Sequence, residues 1–327
     1  MRNALLVVAL TVLCSTNAFA DPPITAVALS PDRQQLVMGS QQGIEIRAWP
    51  SMEFVRKLTT NLPHVHDLKF SPDGKTLLAA GGSPAESGRV ELWDWPSSSR
   101  IRTLEPHSDL VYRVAWSPGG SQWVSCSGDG CCKTFSTDTA EQLISYEGHS
   151  APVLSVRYLD AQHIVSVSAD QTVRLWNPSN GSHLRTLDNH VGAVNDIALP
   201  SLLHIDPTNT NRSDNRPLEA NDIEQIATVS EDRTLRLWQP KRGRLVRFVK
   251  LDSVPRCLTW SADTSEIYVG CNDGVVRVVD AEQMAVTRKI EGLPGRIHEL
   301  VIDAATHQML VAGANGWKML SLDDSSE

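Results

Sequence analysis

One unit recurs along this chain at a nearly fixed interval, and that interval leaves few folds open. Its clearest copy runs from Gly148 to Trp176, GHSAPVLSVRYLDAQHIVSVSADQTVRLW. Three runs rich in β-branched residues alternate with turns of Asp, Gln and Ser, which reads as strand, turn, strand, turn, strand. The apolar anchor that closes each first strand recurs at Leu29, Phe70, Trp116, Tyr158, Leu199, Trp260 and Ile302. These anchors stand 41, 46, 42, 41, 61 and 42 residues apart. A period of about 40–45 residues with four short strands is what a β-propeller blade requires. The strands are apolar on nearly every residue rather than on alternate ones. A single blade cannot bury two such faces, but a ring of stacked blades can, so the reading is all-β: one seven-bladed β-propeller over residues 21–327.

Motifs in phase with the period strengthen this. Ser-Pro turns follow first strands at Ser30-Pro31-Asp32, Ser71-Pro72-Asp73-Gly74 and Ser117-Pro118-Gly119. Histidines open units at His107, His149 and His190, and S-x-D-x-T-x-R-x-W spans Ser168–Trp176 and Ser230–Trp238. On these residues the chain resembles the WD-repeat β-propeller family along almost its whole length after residue 20. The resemblance implies two hydrogen-bonded structural tetrads, His149, Ser166, Asp170 and Trp176, then His190, Thr228, Asp232 and Trp238. Such a set satisfies polar groups that blade packing would otherwise bury unpaired. Ser, His and Asp together also suggest a hydrolase, but a nucleophile is not normally duplicated from blade to blade, and no G-x-S-x-G elbow is present. Blade three keeps His107, Ser125 and Asp129 but has Phe135 at the Trp position. Blade six has Asp273 but Leu251 and Val279 at the His and Trp positions, and blades one and seven carry Gln41 and Asn315 near the Asp position.

The pattern departs from regularity in three places. Residues 81–88, Gly-Gly-Ser-Pro-Ala-Glu-Ser-Gly, read as an enlarged surface turn. Residues His204–Asp222 read as a long polar surface loop in blade five, either a tolerated insertion or a binding loop. Asn180 and Asn211 head glycosylation acceptor patterns. Ring closure is the third. The resemblance implies an N-terminal strand that completes the last blade, yet Asp21-Pro22-Pro23 leads straight into a first strand at Ile24. Only Asp323–Glu327 follows the third strand of blade seven. The expectation is therefore a three-stranded last blade with an exposed edge that invites strand pairing.

The opening MRNALLVVALTVLCSTNAFA reads as a signal peptide cleaved before Asp21, which places the protein outside the cytoplasm, secreted or periplasmic. Its apolar run falls short of the ~20 residues a membrane span needs. Loss of Arg2 takes the net charge from −8 to −9, an acidic balance without an evident footprint for nucleic acid or membrane. Export makes disulfides available. Cys126 with Cys132, and Cys257 with Cys271, are candidate cross-strand bridges, with buried free thiols as the other reading and Cys131 left over. No metal site is indicated: Cys131-Cys132 lacks a second pair at ligand spacing, and His64-Val65-His66 lacks a third ligand. No cofactor motif is present.

Two functions compete. The first is a secreted, non-catalytic scaffold for protein–protein assembly. Its candidate interaction face holds Gln42, His66, Asp67, Tyr112, Arg113, Asn195, Glu231, Arg256, Asn272 and Arg296. The second is an extracytoplasmic enzyme, hydrolytic or redox, built at the central channel.

Overall fold

The computed structural model describes residues 22–200 and 225–322; the expected signal peptide (1–20), the expected blade-five loop (204–222) with Asn211, and residues 323–327 lie outside the described residues. Blade one comprises β1 (Ile24–Leu29), β2 (Gln35–Ser40), β3 (Gly43–Ala48) and β4 (Phe54–Leu58). Blade two is β5 (Val65–Phe70), β6 (Thr76–Ser83), β7 (Ser87–Asp94) and β8 (Ser99–His107). Blade three is β9 (Val111–Trp116), β10 (Gln122–Ser127), β11 (Cys132–Ser136) and β12 (Gln142–Tyr146). Blade four is β13 (Val153–Asp160), β14 (His163–Ser168), β15 (Val173–Trp176) and β16 (His183–Leu187). Blade five is β17 (Val194–Ala198), β18 (Ile226–Ser230), β19 (Thr234–Gln239) and β20 (Arg244–Lys250). Blade six is β21 (Pro255–Trp260), β22 (Glu266–Cys271), β23 (Val275–Asp280) and β24 (Ala285–Glu291). Blade seven has three strands, β25 (Ile297–Asp303), β26 (Gln308–Gly313) and β27 (Gly316–Ser321), as the sequence led us to expect.

Every sheet is an antiparallel meander. The innermost strands pack side by side around the axis, and β25 packs on β1 to close the ring. The Ser-Pro turns work through the serine hydroxyl. It accepts the backbone N–H that opens the next strand, from Gln35 to Ser30 at 2.9 Å, Thr76 to Ser71 at 2.9 Å and Gln122 to Ser117 at 3.0 Å. The hydrophobic clusters lie between blades. One joins Leu175 and Val165 of blade four to Ile197 and Trp238 of blade five, and another joins Leu235 and Leu237 of blade five to Ile267 and Val269 of blade six. This explains strands apolar on both faces. No helix among the described residues is long and apolar enough to cross a membrane.

Two expectations need correction. Residues 81–88 are not an open loop: they lengthen β6 and β7, which pair out to Ser83 and Ser87 around a turn at 84–86. Glycine permits this. A Cβ on Gly81 would sit 1.7 Å from the His64 carbonyl oxygen, and Gly82 has φ +138° with the Ser87 oxygen 2.0 Å from where its Cβ would lie. The second concerns the bridges Cys126–Cys132 and Cys257–Cys271, neither of which forms; all five described cysteines are free. Cys126 and Cys132 are cross-strand partners, but such neighbours hold Cβ atoms ~4.5–5.5 Å apart, wider than the ~3.8 Å a disulfide prefers. Cys257 instead faces Gly270 while Cys271 faces Pro255, because a bulge shifts the register. Burial raises the thiol pKa of Cys126, Cys132 and Cys257 well above the ordinary range and that of Cys271 to about 12, so these cysteines are inert packing residues.

Outer strands also clasp their neighbours. Arg56 on β4 donates to Ser98 Oγ of blade two, and Arg102 on β8 to the Thr139 carbonyl of blade three. Arg288 on β24 donates to the Leu322 carbonyl after β27 at 3.3 Å. Among the described residues blade seven has no fourth strand to clasp blade one, and the seam is latched in the other direction. Trp49 Nε1 of blade one donates to the buried carboxylate of Asp303 at 2.8 Å, Arg33 pairs with it at 3.1 Å, and the Arg47 guanidinium lies 5.6 Å from the centre of the Trp317 ring.

Candidate functional site

The same irregularity appears in all seven innermost strands. Each ladder shifts register around the strand's second residue: Ile24/Ala26, Val65/Asp67, Val153/Ser155, Val194/Asp196, Pro255/Cys257, Ile297/Glu299 and, in blade three, opposite Val111/Arg113. A bulge frees one residue from the ladder and re-aims its side chain. The residues freed are Thr25, His66, Tyr112, Leu154, Asn195, Arg256 and His298. Neighbouring members meet across the blades, so they gather at one mouth of the central channel. Thr25 Oγ1 donates to the Val65 carbonyl, the His66 and Tyr112 rings meet edge-on at 5.8 Å, and Arg256 reaches Asn195 Oδ1 at 3.4 Å.

Arg256 is the most connected member. Its Nε donates to Asn272 Oδ1 at 2.7 Å and its terminal nitrogen to Glu231 Oε1 at 3.0 Å. Exposed Arg296 stands beside it and makes no ion pair among the described residues. Burial, the neighbouring His64 and then Arg113 push His66 down to about 4; burial, Arg296, Arg113 and Arg256 do the same to His298. Both imidazoles are therefore neutral at pH 7, and the charges at the mouth are Arg256, paired with Glu231, and Arg296.

Below the mouth a layer of side chains plugs the channel. Buried Asp67 pairs with Lys69 at 3.3 Å and Arg113 at 3.4 Å, and accepts the Val114 N–H at 2.9 Å. Arg113 also pairs with Glu299. Across the ring Asp196 accepts Ser155 Oγ at 2.8 Å and lies 3.7 Å from Arg157. Three cations and three carboxylates compensate one another. Burial would raise the Asp67 pKa, but Lys69 and Arg113 hold it below the usual carboxylate range. Farther along the inner strands lies a cavity of about 500 Å³ lined by Lys69, Arg157, Glu299 and apolar residues including Phe70 and Ile302.

The face expected from sequence thus divides. Asn195, Glu231, Arg256 and Asn272 form one cluster, with Arg296 next to it, and His66 and Tyr112 another. Asp67 and Arg113 belong to the buried layer. Gln42 stands apart, exposed, with its N–H on Ser40 Oγ. Sequence reasoning missed His298, Glu299, Lys69, Arg157 and Asp196. The signal was available, since each sits one, two or four places after the buried residue that opens its inner strand.

The structure brings the tetrad residues together inside their blades. His149 Nδ1 lies 2.9 Å from Asp170 and its Nε2 2.8 Å from Ser166 Oγ, to which Trp176 Nε1 donates at 3.3 Å. His190 makes the same contacts with Asp232 at 2.8 Å and Thr228 at 2.9 Å, and Trp238 donates to Thr228 at 2.8 Å. His107 bonds Asp129 and Ser125 alike, and Phe135 stacks on Trp123 at 4.1 Å in place of the indole contact. Ser125, Ser166 and Thr228 are 0% exposed, so no substrate reaches these hydroxyls. Burial lowers the pKa of His149 and His190 against the pull of their aspartates, leaving neutral rings that bridge carboxylate to hydroxyl. Among the described residues no three His, Cys, Asp or Glu side chains converge as metal ligands.

Comparison with known proteins fits this architecture. The family model described as WD domain, G-beta repeat matches residues 53–94, 98–136, 140–177 and 181–239, more than half of the chain. The chain is 25% identical over 277 residues to Telomerase protein component 1 of Mus musculus, covering 78% of this chain and 10% of that protein. It is 30% identical over 125 residues to Eukaryotic translation initiation factor 3 subunit I of Neurospora crassa, covering 38% of this chain and 30% of that protein. With the Guanine nucleotide-binding protein subunit beta of Saccharomyces cerevisiae it shares 23% identity over 222 residues, 66% of this chain and 48% of that protein. The chain therefore spans less than half the length of these relatives. With the matched repeats in phase with its blades, it belongs to the WD-repeat β-propeller family.

Proposed function

We propose that this chain is an exported, non-catalytic scaffold that docks a protein partner over the Arg256–Tyr112 mouth of the channel. The observation that carries the reading is the set of bulges: the ring is regular, and its bulges send six side chains with polar groups and one leucine to the same rim. Tyr and Arg are effective interface anchors, because they bury large area and donate directional hydrogen bonds. The polar sets inside the blades are occupied with one another and shielded from substrate. Two relatives carry names that make them subunits of larger assemblies, which supports an assembly role. Export rests on the leader, with its apolar run and Ala18-Phe19-Ala20.

Mass analysis of the purified protein tests export, with a chain beginning at Asp21 expected; a chain retaining Met1 in the cytoplasmic fraction rejects it. Partner capture from the exported fraction tests the mouth. Tyr112→Ala with Arg256→Ala is expected to cut capture at least tenfold while the thermal midpoint stays within a few degrees. Unchanged capture places the docking surface elsewhere.

A further inference from the structure

The outermost strands form the circumference of the ring, and their cations are nearly all engaged. On β4, Arg56 bonds Ser98 and Lys57 pairs with Glu45 at 3.0 Å. On β8, Arg100 pairs with buried Glu91 at 2.7 Å and Arg102 bonds Thr139. On β24 Arg288 pairs with Glu266 and Lys289 with Asp252, while Arg185 on β16, beside Gly243 at the turn into β20, makes no ion pair among the described residues. Blade five differs. Residues 241–250 hold five Lys or Arg and no acid, in a chain of net charge −8. Arg244, Arg247 and Lys250 are exposed and make no ion pair among the described residues. Phe248 is 56% exposed, with the Arg236 guanidinium over its ring at 5.4 Å.

Register places these groups on both sides of one edge. Arg244 and Arg247 oppose Gln239 and Leu237, and lie on one face of the sheet. Phe248 and Lys250 oppose Arg236 and Thr234, and lie on the other. β20 ends the sheet, so among the described residues its outer backbone N–H and C=O groups have no neighbouring strand. Charged side chains on an edge strand discourage pairing with like strands. They also select an oppositely charged strand, for which the open backbone supplies the ladder. We propose that the β20 edge of blade five docks an acidic, extended polypeptide segment of another protein, as an added strand whose carboxylates meet Arg244 and Arg247 on one face while its other face lies along Phe248 and Lys250. The free backbone edge favours a polypeptide over a lipid surface or a polyphosphate, which would use the charge alone.

Labelled peptides (Glu-Val)5 and (Glu-Pro)5 carry equal charge, but only the first can form a ladder. At 0.15 M salt the full chain is expected to bind (Glu-Val)5 at least tenfold more tightly than (Glu-Pro)5, with slowed amide exchange in β20. Arg244→Glu, Arg247→Glu and Lys250→Glu together should remove the difference, while Arg102→Glu on β8 leaves it. Should the triple variant misfold, Phe248→Ser and the exchange data on the unaltered chain decide the matter. Equal binding of the two peptides, tighter binding to vesicles with 30% anionic lipid, or unprotected β20 amides would each overturn the proposal.

Discussion

Replacing Asp67 with alanine is expected to lower stability by about 3–5 kcal/mol, the usual cost of breaking one side of a buried ionic set. Asp67 holds the second and third blades together at the channel. Its carboxylate faces Lys69 and Arg113 and accepts the Val114 N–H from the next blade. Without it Arg113 keeps only Glu299, and a buried N–H loses its partner, which alone costs about 1–3 kcal/mol. Asp67→Asn should fall between, since its amide oxygen can still accept from Val114. Urea unfolding measures both. A loss below about 1 kcal/mol for the alanine variant would mean that water solvates the layer.

Asp303→Ala should cost about 2–4 kcal/mol and act locally. Asp303 accepts Trp49 Nε1 at 2.8 Å, Arg33 at 3.1 Å and Thr306 Oγ1 at 2.9 Å. Trp49 Nε1 and the buried seam lose their acceptor together. Because blade seven has no fourth strand among the described residues to clasp blade one, little else replaces the latch. Amide exchange should accelerate in β1, β2, β26 and β27 before blades three to five change. Asp73→Ala is the control, because that carboxylate only braces its own exposed turn through Ser71 and Lys75. Uniform acceleration around the ring would show that the seam is not its weakest joint.

How much of this was legible in the sequence depends on distance along the chain. The blades, the Ser-Pro turns and the three-stranded seventh blade follow from local patterns at one period, so they could be read directly. Asp67 and Arg113 could not. In a linear sequence they look like rim charges, and only ring closure places Glu299, far away in the chain, against Arg113. The bulges were equally invisible, because one unpaired residue leaves the apolar pattern intact. They set how the expected mouth residues meet, and they produce the offset that keeps Cys257 from Cys271. In blade two, glycines that usually mark a loop instead mark close backbone approach within two long strands.

The proposed division of labour is that polar sets within the blades serve the fold and the bulged rim serves binding. Two variants measured side by side for thermal midpoint and for partner capture from the exported fraction test it most directly. His149→Ala with Ser166→Ala should lower the midpoint by several degrees, since buried Trp176 Nε1 and Asp170 lose partners, while leaving capture by the folded protein intact. Arg256→Glu with Tyr112→Ala should do the reverse, abolishing capture at a nearly unchanged midpoint. Loss of capture in the folded tetrad variant, with normal capture by the rim variant, would contradict the account.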